Sequence, residues 1–443
     1  MSNSSSSRSL KLKPEYKKQV KASVTRRGFA SQTHLATKLG LSRDVISRFL
    51  NGKPVDRLNA EEICDKLGWD VQEVTFFQTS INKQPKTDWG EAADSPNSFE
   101  REEEFEILDQ WIVKDRCPLV LIEGMAGMGK TNLSYQLAKQ IANHFDYVIW
   151  RSMDQYQSLE ELLDDWLSFL YEQQEIEEVK TTEEKLKQLK QKLESDRCLL
   201  ILSNIHIALK DFSFIDGYQG CEKLLKLIAK KTNKSCLLIT SNVTPNTVNQ
   251  LERNNQLVRR IEIKSLSVKA IQNIFSSVGS FSASDEDWVK LKEIYWGNWF
   301  VLKNVAHNIQ RNFDSNITNF FEFGDYVFNG IEQFIEEQLD KLSETEKEVM
   351  YWVAIYRHPI SLFELRDILS GLFNDQLLNI IKYLKSRFFL ESIEEGILVQ
   401  PPMIREYIIK RLINNITEEI VNNNLFWLNR FPLLLTTAQS RIR

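Results

Sequence analysis

The sequence predicts a multidomain chain: an α/β core with a parallel sheet, an all-α head before it, and a mainly helical C-terminal third after it. Three observations carry this reading. At 443 residues the chain is longer than one hydrophobic core accommodates. Short aliphatic runs alternate with helix-length segments through its middle, the pattern of strands buried on both faces. Charge is split as well: residues 1–60 hold 13 Lys and Arg against 3 Asp and Glu, a net +10 within a formal total of −5, which leaves −15 beyond them.

A basic head on an acidic body suggests one module that meets a polyanion and others that do not. There is no uncharged apolar stretch of about 18 residues, and the N-terminus is Ser-rich, so the reading is a cytoplasmic protein without membrane contact. Cys64, Cys117, Cys198, Cys221 and Cys236 are odd in number and scattered, which argues against a disulfide framework or a zinc site and for buried thiols.

In chain order, residues 1–9 lack apolar groups to bury and are expected to be disordered. Residues 10–77 are helical in pattern. Within them Ala36 precedes Gly40 by four, and Leu35, Leu39, Leu41, Ile46 and Phe49 fall where two helices crossing at a sharp turn interlock. Ser42 is placed to cap the second helix, whose exposed positions are Arg43, Asp44, Ser47 and Arg48. The unit resembles a phage-repressor helix-turn-helix. That implies Ser42, Arg43, Asp44, Ser47 and Arg48 toward the DNA major groove, with Arg26, Arg27, Lys38 and Lys53 available for phosphates. The alternative is a protein-docking helix pair whose charge is only a solvated face.

Residues 78–97, with Pro85, Gly90 and Pro96, read as a linker. Strands are expected at 118–123, 147–152, 198–203, 235–241 and 260–263, within a domain spanning 98–266. Thr181 and Glu184 form a capping-box pair ahead of an amphipathic helix leading to Arg197.

The strongest chemical signal is Leu119-Val-Leu-Ile-Glu123 followed by Gly124-Met125-Ala126-Gly127-Met128-Gly129-Lys130-Thr131-Asn132 and a helical pattern. It fits G-x-x-x-x-G-K-[ST] in strand, loop, helix context, and so a P-loop NTPase core that binds ATP or ADP through these nine residues. The glycines let N–H groups turn around phosphates, Lys130 reaches the β- and γ-phosphates, and the Thr131 hydroxyl is the magnesium ligand. Magnesium also needs a carboxylate at the end of the 198–203 strand, where Ser203 stands. As Ser203 is a weak metal candidate, magnesium is expected to be held weakly if at all, and hydrolysis to be weak or absent. Glu123 and Asp154 are the other acids near strand ends.

The order of pieces resembles the NB-ARC branch of the STAND nucleotide-binding proteins, a family of signalling ATPases, in a bacterial form with a helix-turn-helix head. Asp88-Trp89-Gly90-Glu91-Ala92 resembles the family's lead-in, and Ser98-Phe99-Glu100-Arg101 its Phe-x-Gly-Arg, with Arg101 kept and Glu100 in place of glycine. The 145–152 and 235–241 segments match two strand motifs, but Asn242 stands where the family has a phosphate-sensing arginine. Tyr295 to Leu302 matches the Gly-x-Pro-Leu region, with Trp299 for the proline. The resemblance implies a helical domain over 267–332 and a winged-helix lid over 333–425, with a capping box at Ser343 and Glu346 and a wing hairpin within 391–400. The family's lid histidine would fall near Gln400-Pro401-Pro402, where none is present. A tail over 426–443 stands where the family continues into sensor repeats, so the expectation is a degenerate switch whose sensor comes from a separate partner, or a shortened paralogue that modulates full-length relatives. Homo-oligomerisation is implied on nucleotide exchange. A DNA-binding regulator using the nucleotide module as a scaffold is the alternative function.

Overall fold

A computed structural model of the chain describes residues 10–13, 15–53, 55–77, 84–92, 101–171, 181–230, 234–356, 358–422 and 431. The expected disorder of residues 1–9, the 78–83 part of the linker, Ser98-Phe99-Glu100 and nearly all of the tail lie outside these. The chain divides into two compact units, 1–84 and 85–443.

In the first unit, helices Lys17–Arg26, Gln32–Leu39, Arg43–Leu50 and Arg57–Leu67 surround a core containing Leu35, Ile46 and Phe49. Gly40 adopts φ +66 at the end of Gln32–Leu39, the left-handed conformation the turn demands. The Ser42 hydroxyl accepts from the Val45 N–H at 3.3 Å, capping the next helix. The head is not all-α: Leu10–Leu12 pairs antiparallel with Thr75–Phe77, and Leu10 also exchanges backbone hydrogen bonds with Val55. Three-residue strands carry too little periodicity to stand out, and Leu10 and Leu12 are recruited by core packing instead.

The second unit is built on a six-stranded sheet in the order Val258–Glu262, Leu119–Glu123, Cys236–Ser241, Cys198–Ser203, Tyr147–Ser152, Lys86–Asp88, with every pairing parallel. Its strands alternate between two cores. Val120, Ile122, Leu199 and Ile201 join the core holding helix Lys130–Ile141, while Leu119, Leu121, Leu200 and Leu202 join that of helices Leu159–Tyr171, Thr182–Ser195 and Gly220–Ile228. Burial on both faces is why these strands read as continuous apolar runs. Thr181 and Glu184 form the expected capping box.

The linker reading fails in its middle, where Lys86–Asp88 is the sheet's edge strand. No apolar pattern marks it, because an ion pair holds it. Asp88 lies 2.6 Å from Arg151 Nη2, and Arg151, itself buried, also pairs with Asp165. Although burial alone would raise the Asp88 pKa, hydrogen bonds from Arg151 and the Gly90 N–H keep it below the ordinary value.

Helices Val268–Val278, Asp285–Tyr295, Trp299–Asn312, Ile317–Phe323 and Asn329–Leu339 follow the sheet. Then come Glu344–Tyr356, Leu362–Ile368, Asn374–Ser386 and Pro402–Asn422, with a three-stranded antiparallel sheet of Ile360–Ser361, Ile397–Val399 and Glu391–Glu394. Ser343 and Glu346 exchange the reciprocal hydrogen bonds of a capping box. All five cysteines are free and buried. Among the described residues no helix is long and apolar enough to cross a membrane.

Candidate nucleotide site

The carboxyl ends of Leu119–Glu123, Tyr147–Ser152, Cys198–Ser203 and Cys236–Ser241 open on a cavity of about 460 Å³, where a ligand of an open α/β sheet is expected. Of the nine loop residues named from the sequence, Ala126, Gly127, Gly129, Lys130, Thr131 and Asn132 line it. Gly124 and Met125 do not, because their carbonyls turn inward to Lys130, and the Met125 side chain is buried. Met128 lines a smaller neighbouring cavity with Arg101, Leu266 and Trp299. Gly129 precedes helix Lys130–Ile141 at φ +91 with no side-chain cap, leaving the helix N-terminus to whatever enters.

Lys130 is buried and donates to Gly124 O at 2.7 Å, Met125 O at 2.8 Å and Asn242 Oδ1 at 2.7 Å. Burial lowers its pKa to about 7. The three acceptors oppose that fall, since a neutral amine has only two N–H groups for them. Asn242 also fixes a tautomer. Its oxygen faces an ammonium that can only donate, so its Nδ2 donates to His206 Nε2, 3.2 Å away. The histidine proton therefore sits on Nδ1, which is buried and has no partner. His206 stays neutral, with its pKa down at about 3, through burial first and then the charges of Lys130, Arg387 and Lys341.

The cavity's chemistry is that of an anion site. It is lined by Lys130, Lys341, neutral His206 and the Trp299 indole, whose buried Nε1–H also lacks a partner, and no carboxylate is among the residues lining it. The two lysines and the uncapped helix N-terminus fit the oxygens of a polyphosphate. For magnesium the protein offers hydroxyls only. Thr131 Oγ1 lies 3.2 Å from Ser203 Oγ, which lies 3.1 Å from Thr240 Oγ1, so the hydroxyls bond one another and no negative charge faces the cavity. Neither other acid supplies it: Glu123 accepts from Thr244 and lies near Arg260, while Asp154 is exposed on a short 3-10 turn. Among the described residues no three His, Cys, Asp or Glu side chains are grouped to hold a metal ion.

Sequence reasoning placed Trp299 and Asn242 here but missed Tyr135, Trp150, Asn204, His206, Phe300, Gln338 and Lys341. Trp89, Tyr135 and Trp150 stack edge to face in series, so the lead-in residue Trp89 supports the cavity wall. Asn298, fully buried, caps helix Trp299–Asn312 and donates to Ala126 O at 2.8 Å, while the Phe300 N–H donates to Gly127 O at 3.0 Å. A Cβ at Gly127 would stand 2.6 Å from Asn298 Oδ1, so this glycine is required by the helical part as well as by the loop. Arg101 donates to Lys264 O, Met128 O and Glu104 and ties the loop to its surroundings. Gln400, near the position expected for a lid histidine, is buried against Met350 and does not line the cavity.

Residues 101–215 match the NB-ARC domain. An uncharacterized WD repeat-containing protein of Nostoc sp. is 32% identical over 415 residues, 86% of this chain, and the chain spans 33% of that relative's length. Among solved structures, a Walker-type ATPase of Pyrococcus abyssi superposes with a TM-score of 0.50 at 15% identity, covering 73% of this chain and 98% of that one. A Signal Transduction ATPase with Numerous Domains from Pyrococcus horikoshii, with a tetratricopeptide repeat sensor, covers 79% of this chain and 49% of its own at a TM-score of 0.38 and 15% identity. With its phosphate-binding loop set at the carboxyl edge of a parallel sheet, the chain carries an NB-ARC domain over residues 101–215.

Proposed function

We propose that this protein is a signalling switch held by ADP or ATP, binding the polyphosphate without a protein carboxylate for magnesium and hydrolysing ATP weakly or not at all. The observation that carries this reading is a cavity at the phosphate loop lined by Lys130 and Lys341 and walled by no acid. Its nucleotide is held by the loop Gly124 to Asn132, in which Gly124 and Met125 act indirectly through the carbonyls that hold Lys130, and Thr131 and Ser203 contact phosphate or water in place of a firmly held Mg2+. Residues 333–425 act as a winged-helix lid, and release of that lid permits self-association. The sensor is a repeat array such as the one the Nostoc relative is named for. Denaturing the purified protein is expected to release ADP or ATP. Added ADP at about 100 times its Kd should raise stability by about 2.7 kcal/mol, equally with magnesium or with a chelator. An empty site together with no thermal protection by either nucleotide would remove the reading.

A second reading, for the head, rests on the exposure of Arg43, Asp44 and Arg48 on one capped helix, with Ser47 half-buried beside them. This face reads DNA, with Arg43 and Arg48 as its main contacts. Binding to a duplex should weaken steeply with salt and be lost when both arginines are alanine. Absence of binding to any duplex at low salt would leave the head a protein-docking module.

A further inference from the structure

Lys341 lies in the turn between helices Asn329–Leu339 and Glu344–Tyr356, far in sequence from the phosphate loop, yet it lines the same cavity as Lys130 and Thr131. The residue is exposed, and it has no ion pair among the described residues. Partial burial lowers its pKa, followed by the repulsion of Arg387, while Glu337 opposes this more weakly. Arg387 is buried without a carboxylate partner and is held by the Tyr383 hydroxyl at 3.0 Å and the Phe389 ring. Both act on His206 together with Lys130, so three cations from separated parts of the chain converge on one neutral imidazole. Lys130 and Lys341 line one cavity that no carboxylate walls, and this placing of like charges is unfavourable unless an anion lies between them.

We propose that Lys341 is a phosphate ligand, the side chain through which the C-terminal helical part touches the bound nucleotide. Resting on the nucleotide reading above, this assigns a residue to the link between ligand and lid. Bound polyphosphate is then bridged between Lys130 on the loop and Lys341 beyond helix Asn329–Leu339, so emptying the site loosens the attachment of residues 329–422 to the sheet. The bridge discriminates by phosphate number, since a nucleoside or monophosphate does not span both cations.

The test compares the full chain with its Lys341→Met and Lys341→Arg variants, measuring affinity for ADP, AMP and adenosine by calorimetry and cleavage of the C-terminal part by limited proteolysis. Methionine keeps the stem of an exposed side chain, so folding should be unaffected. Lys341→Met should lose about tenfold or more in ADP affinity. Its binding of AMP and adenosine should be unchanged, ADP should no longer protect residues 329–422 from cleavage, and Lys341→Arg should restore both effects. Equal ADP affinity in wild type and Lys341→Met would overturn the assignment and leave the nucleotide reading standing. Failure of the wild type to bind ADP at all would overturn both.

Discussion

Replacing Lys130 with methionine is expected to weaken ADP and ATP binding by about 100-fold or more, some 3 kcal/mol, while leaving the nucleotide-free protein as stable as before. The first effect follows from losing the cation at the mouth of the loop helix. The second is less obvious, because Lys130 is buried and makes three hydrogen bonds. Removing them leaves three buried acceptors short, at about 1.5 kcal/mol each. Against this, holding a charged lysine whose pKa has fallen from 10.5 to about 7 costs roughly 5 kcal/mol at neutral pH. The two nearly cancel, with a small gain for methionine. Below about pH 7 both folded and unfolded chains keep the Lys130 proton, and between about 7 and 10.5 only the unfolded chain does, so wild-type stability rises with pH across that window. Thermal melts from pH 6 to 9 should show this slope in wild type and a shallower one in Lys130→Met. His206, neutral throughout, adds nothing to it. Identical slopes would mean that Lys130 stays charged on its three acceptors. Undiminished ADP affinity would remove it from the site.

The parallel core was legible because burial on both faces leaves a continuous apolar record, and five strands stood where the aliphatic runs did. The loop was legible because glycine spacing and the lysine are backbone requirements written in sequence. What escaped was held by contacts between residues distant in sequence. The edge strand Lys86–Asp88 depends on Arg151, and the strand pair of the head depends on Leu10 and Leu12 reaching its core. Half of the cavity escaped for the same reason: His206, Gln338 and Lys341 occupy no recognisable spacing, and only the fold brings them to the loop. The missing acid, by contrast, was visible at Ser203. The structure adds that the space around it is closed by hydroxyls and not by another carboxylate.

Ser203→Asp should therefore convert a magnesium-indifferent site into a magnesium-dependent one. Ser203 is fully buried between Thr131 and Thr240. A carboxylate there faces two hydroxyls that can donate to it, but it is withdrawn from water, so the ligand-free variant should lose on the order of 2 kcal/mol. Magnesium with ATP reverses the sign: the metal takes the Thr131 hydroxyl and the new carboxylate, and binding to the folded state alone restores stability. The expected result is a variant that melts lower than wild type in chelator, melts at least as high in magnesium and ATP, and releases phosphate at least about tenfold faster. The gain has a ceiling, because Asn242 still holds Lys130 and His206 and no arginine is among the described residues lining the cavity. A variant that melts low in both conditions and shows no turnover would mean that the hydroxyl cluster has closed the metal position sterically. One that gains magnesium dependence without turnover would show that the carboxylate binds the metal while the attacking water still lacks an orienting group.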